Sequence, residues 1–260
     1  MNRPVPATHA AVEFVDVVFR RPAAGERGNG VAVLDGVSFT LNRGEVLAIV
    51  GPSGAGKTTL LHLVNRLLEA DGGEVRVGGR RVRDWPPPAL RRHAGLVFQS
   101  APMLPGTVFD NLEAPLRLAG RALSRAEAAR WLEAVELDPA LLEQDAATLS
   151  SGQKQRVALL RTLATEPAVL LVDEVTSALD MASARVVESL VLDRVRTRGL
   201  SVLWVTHDEA QARRVAHRVL HLEGGRVRYL GPVDGYRWPA HPTDGPGKVA
   251  CRPAGEGGGS

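Results

Sequence analysis

The sequence predicts an α/β protein in which a β-rich first part and a helical insert join a core of parallel strands. Between residues 12 and 50, short apolar or alternating segments separated by turn residues indicate several β-strands. From about residue 101 to residue 150 the apolar residues recur at helical spacing instead. Two later apolar runs, at 168–174 and 200–209, are each followed by a helix-like segment, which is typical of βαβ units in a parallel sheet.

The helical insert holds a clearly amphipathic segment, "SRAEAARWLEAVEL" at 124–137. Ser124 followed by Glu127 predicts a capping box at its start. One face of the predicted helix is apolar and is formed by Ala128, Trp131, Leu132 and Val135. In contrast, residues 231–260 are rich in Gly and Pro and have little apolar periodicity, so we expect a flexible tail there.

The composition narrows the class of protein. A chain of 260 residues with 44% apolar residues can bury a large core, and its formal charge of +3 is too small to indicate a nucleic-acid surface. Cys251 is the only cysteine, which excludes an internal disulfide and a cysteine-rich metal site and fits a reducing compartment. The apolar runs are far shorter than the roughly 20 residues that span a bilayer, and the first residues show no signal pattern, so we expect a cytoplasmic location.

The strongest chemical motif is "GPSGAGKT" at 51–58, which follows the apolar strand "VLAIV" and precedes the helical run "TTLLHLVNRLL". It matches G-x-x-x-x-G-K-[ST], the pattern of a loop that binds nucleotide phosphates. Glycines let backbone N–H groups approach a phosphate, and the helix that follows directs its positive end at the same anion. We expect Lys57 to reach the β- and γ-phosphates and Thr58 to bind Mg²⁺. The residues predicted to bind the nucleotide in this loop are Gly51, Pro52, Ser53, Gly54, Ala55, Gly56, Lys57, Thr58 and Thr59.

Polar side chains follow three predicted strands at their carboxyl ends. Asp173 and Glu174 end the strand "AVLLV". Gln99 follows "GLVF", and His207 follows "LWVT". Because the carboxyl ends of parallel strands form the ligand-binding edge of an α/β sheet, we expect these side chains to lie at a ligand-binding site. We expect Asp173 to bind Mg²⁺, and Glu174 to orient and polarise an attacking water as a general base, a role worth roughly 10²–10⁴-fold in rate.

The order of the motifs along the chain is highly specific. The elements that follow one another are the phosphate loop, Gln99, "LSSGQ" at 149–153, "DE" at 173–174, "SALD" at 177–180 and His207. In this order the sequence resembles the ATP-binding cassette (ABC) ATPases, over about residues 11–230. The resemblance implies a P-loop NTPase (RecA-like) core with an antiparallel β subdomain and an α-helical insert subdomain over about residues 101–150. It also implies ATP and Mg²⁺ as ligands.

The resemblance implies a homodimer that forms when ATP binds. In this family "LSSGQ" of one subunit closes over the ATP held by the phosphate loop of the other subunit, which explains two anion-binding motifs in one chain. The residues assigned to this contact are Ser150, Ser151, Gly152 and Gln153. Asp180 is expected to touch the opposite subunit. His207 is expected to contact the γ-phosphate, and Gln99 to bind Mg²⁺ and to act with Glu174 and His207 in catalysis.

Three positions depart from the usual pattern of the family. Ser151 stands where a glycine is usual, so a Cβ enters a crowded dimer contact. The aromatic residue that stacks on adenine aligns with Arg21, whose guanidinium plane can also stack on a base, and Phe19 lies two residues earlier. A solvated Arg21 is the alternative. Val175 replaces the proline of most transport cassettes.

The stretches "LLVDEVTSALD" and "FQSAPMLPGTVFDNL" are similar to those of the Fet-type (YbbL-like) ATPases, which pair with a separate membrane subunit and are linked to iron export. Importer ATPases of the phosphate type are the alternative, because "LVNRLLEADGGEVRVGGR" is similar to theirs. A non-transport ABC protein acting on DNA or ribosomes is a third hypothesis. That class needs long coiled coils, two cassettes or zinc sites, and the sequence predicts none of these, so we expect no nucleic-acid partner.

The partner implied by this resemblance is an integral membrane permease subunit, which would hold the chain at the inner face of the cell membrane. In the family, the region after Gln99 receives a short helix of the membrane subunit. Here that region contains an apolar cluster of Met103, Leu104, Val108 and Phe109. We expect Leu104 and Phe109 to line a docking groove, and burial of both in the core of the insert is the alternative.

Overall fold

A computed structural model describes residues 10–21, 30–176 and 179–238, so residues 22–29 of the predicted loop and residues 239–260 lie outside it. The strands are β1 (Ala10–Arg21), β2 (Val31–Asn42), β3 (Val46–Val50), β4 (Gly72–Val77), β5 (Arg80–Arg81), β6 (Ala94–Val97), β7 (Val169–Asp173), β8 (Ser201–Val205), β9 (Arg218–Glu223) and β10 (Arg226–Pro232). The helices are α1 (Lys57–Val64), α2 (Pro87–His93), α3 (Val108–Leu118), α4 (Arg125–Glu133), α5 (Ser151–Leu163), α6 (Met181–Arg198) and α7 (Glu209–Val215). In this part of the chain no helix combines the length and the apolar character needed to cross a membrane.

The first strands form a sheet in the order β2-β1-β4-β5, with all pairs antiparallel. Phe14 of β1 lies opposite Phe39 of β2, and the two rings stack with centroids 4.6 Å apart. Val12, Val17 and Leu34 are fully buried in the same core. Burial alternates along much of β2 as the sequence does, which is expected for a strand with one solvent-exposed face.

The second sheet has the order β10-β9-β3-β8-β7-β6. Five of its strands are parallel, and β10 joins the edge as an antiparallel partner of β9. Every residue of β3, β7 and β8 is buried, which agrees with their continuous apolar sequences. The predicted α/β class is therefore confirmed. The carboxyl ends of β3, β6, β7 and β8 lie at one edge of this sheet because the four strands run in the same direction.

The helical region between β6 and β7 contains α3, α4 and α5, whose apolar faces meet in one cluster. Its fully buried members include Val108, Leu112, Ala128, Leu132, Val135 and Val157. Ser124 caps α4, since its Oγ accepts a hydrogen bond from the Glu127 N–H at 3.2 Å, which is one half of the predicted capping box. The predicted apolar face of α4 packs inward, with Trp131 partly buried and the other three residues fully buried.

The C-terminal segment differs from the prediction. Strand β10 continues to Pro232, and a short 3₁₀ turn follows it. Val233 and Tyr236 are buried beside β3, and the Tyr236 ring contacts that of Trp238 with centroids 4.8 Å apart. The expectation of a flexible tail from residue 231 is therefore wrong for residues 231–238. Tyr236 and Trp238 supply enough apolar surface for packing, although the segment as a whole is rich in Gly and Pro.

Candidate functional site

The loop between β3 and α1 has a backbone that requires glycine at two positions. Gly51 has a φ of 147°, and a Cβ there would come within 2.0 Å of the Leu222 carbonyl oxygen. Gly56 has a φ of 102° just before α1, and a Cβ there would come within 2.7 Å of the Leu34 side chain. The first turn of α1 carries no acidic side chain, so its N–H groups and the helix dipole attract an anion. The loop fits a phosphate group.

Lys57 begins α1 and is buried, with only 6% of its surface exposed. Its ammonium donates hydrogen bonds to the carbonyl oxygens of Gly51 and Pro52, with Nζ–O distances of 2.9 and 3.0 Å. Burial lowers the pKa of Lys57, and the carboxylates of Glu174 and Asp173 act in the opposite direction. The loop thus holds a positive charge that has few partners other than its own carbonyl groups, which suits the binding of a multiply charged anion.

Thr58 and Asp173 bring two oxygen atoms together beside this loop. The Thr58 hydroxyl donates to Asp173 Oδ1 at 3.2 Å. Asp173 is buried, and burial raises its pKa while the hydrogen bond from Thr58 opposes the shift. The described residues contain no group of three or more His, Cys, Asp or Glu side chains that could hold a metal. A pair of hydroxyl and carboxylate oxygens still fits Mg²⁺, which usually takes one or two protein oxygens and completes its shell with phosphate and water.

Glu174 contacts two other residues that the sequence predicted for the site, Gln99 and His207. Its carboxylate accepts a hydrogen bond from Gln99 Nε2 at 3.1 Å through one oxygen, and its other oxygen lies 2.5 Å from His207 Nε2. The backbone of Glu174 has a φ of 50°, an unfavourable value for a residue with a side chain. The structure therefore brings Gln99, Glu174 and His207 into contact at the edge of the sheet, next to Lys57 and Asp173.

The serine-glycine motif starts α5 and is arranged differently. Ser150 is the N-cap, and it exchanges hydrogen bonds with Gln153: the Gln153 N–H donates to Ser150 Oγ at 3.3 Å, and the Ser150 N–H donates to Gln153 Oε1 at 2.9 Å. Ser151 is exposed and Gly152 is half-buried. Within the described chain no hydrogen bond joins residues 150–153 to the phosphate loop, so the two anion-binding motifs are not brought together in one subunit.

Asp180 caps α6 in this structure. Its carboxylate accepts hydrogen bonds from the backbone N–H of Ser183 at 2.8 Å and from the Ser183 hydroxyl at 2.9 Å. The backbone hydrogen bond is the main cause that lowers the pKa of Asp180. Ser177 and Ala178, which complete the "SALD" motif, lie outside the described residues. The contact of Asp180 with an opposite subunit stays a prediction.

The two candidates for adenine stacking are placed in different environments. Arg21 is exposed at the end of β1, where it pairs with Val31. Phe19 is partly buried and packs against the core of the antiparallel sheet, opposite Leu34. Arg21 is the more exposed of the two side chains, and the residue that stacks on adenine stays a prediction.

Two buried glutamines that the sequence analysis did not single out lie beside the site, one against Gln99 and the other against the segment that follows Glu174. Gln155 of α5 is buried, and its amide donates a hydrogen bond to the backbone oxygen of Gln99. Gln211 of α7 is also buried and reaches the segment that follows Glu174. Each glutamine follows a recognised motif within six residues, but only the fold shows which atoms it contacts. Val175, the unusual residue of its motif, is fully buried in the core.

An apolar groove of about 570 Å³ lies among α1, α2, β6 and α3. Its exposed apolar residues are Leu67, Phe98, Leu104 and Leu118. Its charged residues are all arginines, namely Arg91, Arg92 and Arg161. Phe109 does not line this groove, so its predicted place in a docking groove gains no support from it. It packs against the core of the insert with the Arg125 guanidinium 4.5 Å from its ring centroid, because α3 starts at Val108 and turns that position inward.

The phosphate loop, the acidic pair at the end of β7 and the helical insert define a P-loop nucleoside triphosphatase. A family model described as ABC transporter matches residues 34–177. The chain belongs to the ABC transporter family, as an ATP-binding cassette with the ATPase activity of that family.

Relatives and solved structures support this assignment. A putative ABC transporter ATP-binding protein of Bacillus subtilis (strain 168), YjkB, is 40% identical over 86% of this chain and 88% of its own length. Protein STAR1 of Oryza sativa subsp. japonica is 42% identical over 82% of this chain and 62% of its own length. The methionine import ATP-binding protein MetN of Mesorhizobium japonicum is 41% identical over 87% of this chain. This chain therefore spans less than two thirds of the last two relatives, since it covers 63% of that MetN.

The cassette MJ0796, solved as a dimer in a post-hydrolysis state with ADP and Pi, superimposes with a TM-score of 0.77. It is 30% identical and covers 86% of this chain and 100% of its own. The structure of cbiO1 from Clostridium perfringens, described as part of the transporter complex cbiONQ, gives a TM-score of 0.73 at 25% identity. It covers 87% of this chain and 90% of its own.

We predict that Asp173→Asn stabilises the nucleotide-free protein while it abolishes ATP hydrolysis. Burial raises the pKa of Asp173, so its ionised form costs stability above that pKa, and the cost disappears as the pH falls through it. Thermal unfolding in a metal chelator should show a melting temperature about 2–4 °C higher at neutral pH, and no difference at acid pH. A lower melting temperature of the variant than of the wild type at neutral pH would contradict the conclusion that ionised Asp173 destabilises the folded protein.

Proposed function

We propose that this chain is the ATP-hydrolysing subunit of a transporter and that Glu174 activates the attacking water. The observation that carries the proposal is the contact of Gln99, Glu174 and His207 beside Lys57 and the Thr58–Asp173 pair. These side chains come from the ends of adjacent strands. They supply a cation for the phosphates, oxygens for a metal ion and an oriented carboxylate in one place.

Binding of ATP is the task of the phosphate loop. The Gly-rich backbone admits the phosphates, and phosphate oxygens would replace the Gly51 and Pro52 carbonyls as acceptors for Lys57. Thr58 and Asp173 would hold Mg²⁺, which when bound neutralises charge on the phosphate oxygens. Arg21, at the exposed end of β1, is proposed to stack on the adenine.

Hydrolysis needs a water molecule that is held in line with the γ-phosphate and loses a proton. Glu174 is proposed to accept that proton on a carboxylate oxygen, because its side chain is mostly shielded from solvent at 20% exposure and is oriented by two neighbours. Gln99 fixes one oxygen and His207 lies against the other. His207, with 47% of its side chain exposed, is proposed to transfer its hydrogen bond from Glu174 to the γ-phosphate when ATP binds.

The serine-glycine motif is proposed to complete the site of a second copy of the chain. The capping box at Ser150 orders the start of α5, and the first turn of this helix has no acidic residue, so the helix end attracts an anion. It makes no hydrogen bond to the phosphate loop of its own chain in the described structure. MJ0796 is dimeric, in one structure with ADP and Pi bound, which supports a dimer as the working form; the head-to-tail arrangement is proposed from the separation of the two motifs in one chain.

We predict that Glu174→Gln leaves ATP binding intact and slows hydrolysis by about two orders of magnitude or more. The amide keeps the size of the side chain but cannot take a proton from water, so an ATP-bound homodimer should accumulate. Gel filtration with ATP measures this, with Lys57→Ala as the control that does not bind ATP and stays monomeric. A Glu174→Gln protein that remains monomeric with saturating ATP would contradict the shared site.

The proposed membrane partner docks in the arginine-lined groove between the core and α3. Leu104 is 46% exposed and lines it, together with Phe98 and Leu118. The groove carries arginines and no acidic residue, so the docked segment is proposed to be a short apolar helix with acidic side chains. Phe98 directly precedes Gln99, so movement of the docked helix can reach the hydrolysis site. Docking would hold the chain at the inner face of the membrane.

We predict that Leu104→Asp keeps basal ATP hydrolysis and loses co-purification with the membrane subunit, because the new carboxylate faces acidic side chains of the partner. Val15→Asp is the matched control, since Val15 is 51% exposed on β1 outside the groove. Wild-type co-purification of Leu104→Asp would remove the groove as the docking site. Phe109→Asp should instead destabilise the insert, because Phe109 packs in its core.

We propose that the transporter imports a small solute. Methionine import ATP-binding proteins from several bacteria are 40–42% identical to this chain, whereas iron export, expected from the Fet-type resemblance, has no support among the named relatives. We predict that cells that lack this chain lose ATP-dependent uptake of labelled methionine. A loss of iron efflux without a change in methionine uptake would restore the export hypothesis.

A further inference from the structure

A buried polar cluster lies behind the catalytic residues, and the reaction described above does not use it. The cluster consists of Thr176, Glu188, Gln211 and Arg214, and we call it the Glu188 cluster. Glu188 of α6 and Gln211 of α7 are each only 3% exposed. Buried charges and amides are costly unless their hydrogen bonds are satisfied, so the arrangement of these side chains is constrained.

The Glu188 carboxylate is fully engaged by two residues of α7. Arg214 donates to both carboxylate oxygens, from Nε at 3.0 Å and from Nη2 at 2.9 Å. Gln211 Nε2 donates to one of the same oxygens at 2.9 Å. This two-pronged arginine contact holds α7 against α6, and it leaves the Gln211 amide pointing at the segment that follows β7.

Gln211 then reaches Thr176, two residues beyond Glu174. Gln211 Nε2 lies 2.8 Å from Thr176 Oγ1, and Thr176 Oγ1 lies 3.2 Å from Gln211 Oε1. Helix α7 itself starts two residues after His207, and Asp208 caps it by accepting a hydrogen bond from the Gln211 N–H at 3.2 Å. One side chain therefore connects the chain segment that carries Glu174 to the helix that follows His207.

The position of Glu174 needs such a support. Its φ of 50° costs on the order of 1–3 kcal/mol and persists only where neighbouring contacts impose it. A cavity of about 590 Å³ borders Glu174, Thr176 and His207, so apolar packing does not fill this side of the segment. The hydrogen bonds of Gln211 take the place of that packing.

We propose that Gln211 is a positioning residue for ATP hydrolysis, which acts through Thr176 to hold the backbone segment of Glu174 so that its carboxylate faces the attacking water. The proposal rests on the proposed role of Glu174. A purely structural cluster would need only the Glu188–Arg214 contact to join α6 to α7. The Gln211–Thr176 contact is the part that reaches the catalytic segment.

The test is a double-mutant cycle with Gln211→Leu, Thr176→Val and the double variant. Both substitutions keep a similar side-chain volume and remove the hydrogen bond. We expect each single variant to lower kcat for ATP about five- to tenfold with KM within about twofold, because a neutral hydrogen bond is lost at the chemical step and not in ATP binding. The double variant should be no slower than Gln211→Leu, because that substitution already removes the contact with Thr176, together with the hydrogen bond to Glu188.

The chain offers matched controls for both substitutions. Gln144 donates to the Thr148 hydroxyl at 2.8 Å in the same kind of amide–hydroxyl pair, but both residues are exposed on the insert. Thr197 is exposed near the end of α6, where its hydroxyl donates to the Asp193 carbonyl at 2.7 Å. Gln144→Leu and Thr197→Val should keep both kinetic constants at wild-type values.

Three results would overturn the positioning role: wild-type kcat in Thr176→Val, additive losses in the double variant, or a rise of KM with unchanged kcat. If Gln211→Leu does not fold, Thr176→Val decides alone, because it leaves every partner of Glu188 in place. The proposed function fails separately, through wild-type hydrolysis by Glu174→Gln. Loss of hydrolysis in Glu174→Gln together with wild-type kcat in Thr176→Val would reject only the role of Gln211.

Discussion

The strand order of the parallel sheet determines which side chains can touch Glu174. Strand β7 lies between β6 and β8, and these neighbours end two residues before Gln99 and His207, respectively. Both side chains therefore reach the Glu174 carboxylate from adjacent strands, one on each side. Strand β3, with the phosphate loop, pairs with β8 on the side away from β7. A different strand order would separate the carboxylate from its partners even with every motif present.

The charged forms of Lys57 and Asp173 lower the stability of the folded protein because both residues are buried. Burial lowers the pKa of Lys57 and raises that of Asp173, so it disfavours the charged form of both residues. Glu174 adds a strained backbone at the same edge of the sheet. A site of this kind is stabilised by its ligand, because a bound phosphate interacts favourably with the ammonium that burial alone penalises. Asp173 therefore destabilises the nucleotide-free protein although hydrolysis needs it, and ligand binding offsets this loss of stability.

Much of this site could be predicted from the sequence, because the carboxyl end of a buried parallel strand is marked by the point at which its apolar run stops. Apolar runs that stop at a polar residue placed Gln99, Glu174 and His207 at one edge of the sheet. Periodicity does not distinguish the apolar residues of the insert that face its own core from those that line a groove, so both places stay open for Phe109 from the sequence alone. The packing of Tyr236 and the contact of Gln211 with Thr176 depend on residues far apart in the chain, and no local pattern encodes them.

We propose that one chain holds only half of each hydrolysis site, because the phosphate loop and the start of α5 make no hydrogen bond to each other within the described chain. The direct test is the rate of ATP hydrolysis per chain as a function of protein concentration, with the association state followed by sedimentation. We expect this specific rate to rise in proportion to concentration when monomers predominate and to become constant when dimers do. A specific rate that stays constant down to concentrations at which only monomers sediment would contradict it, because a single chain would then contain a complete site.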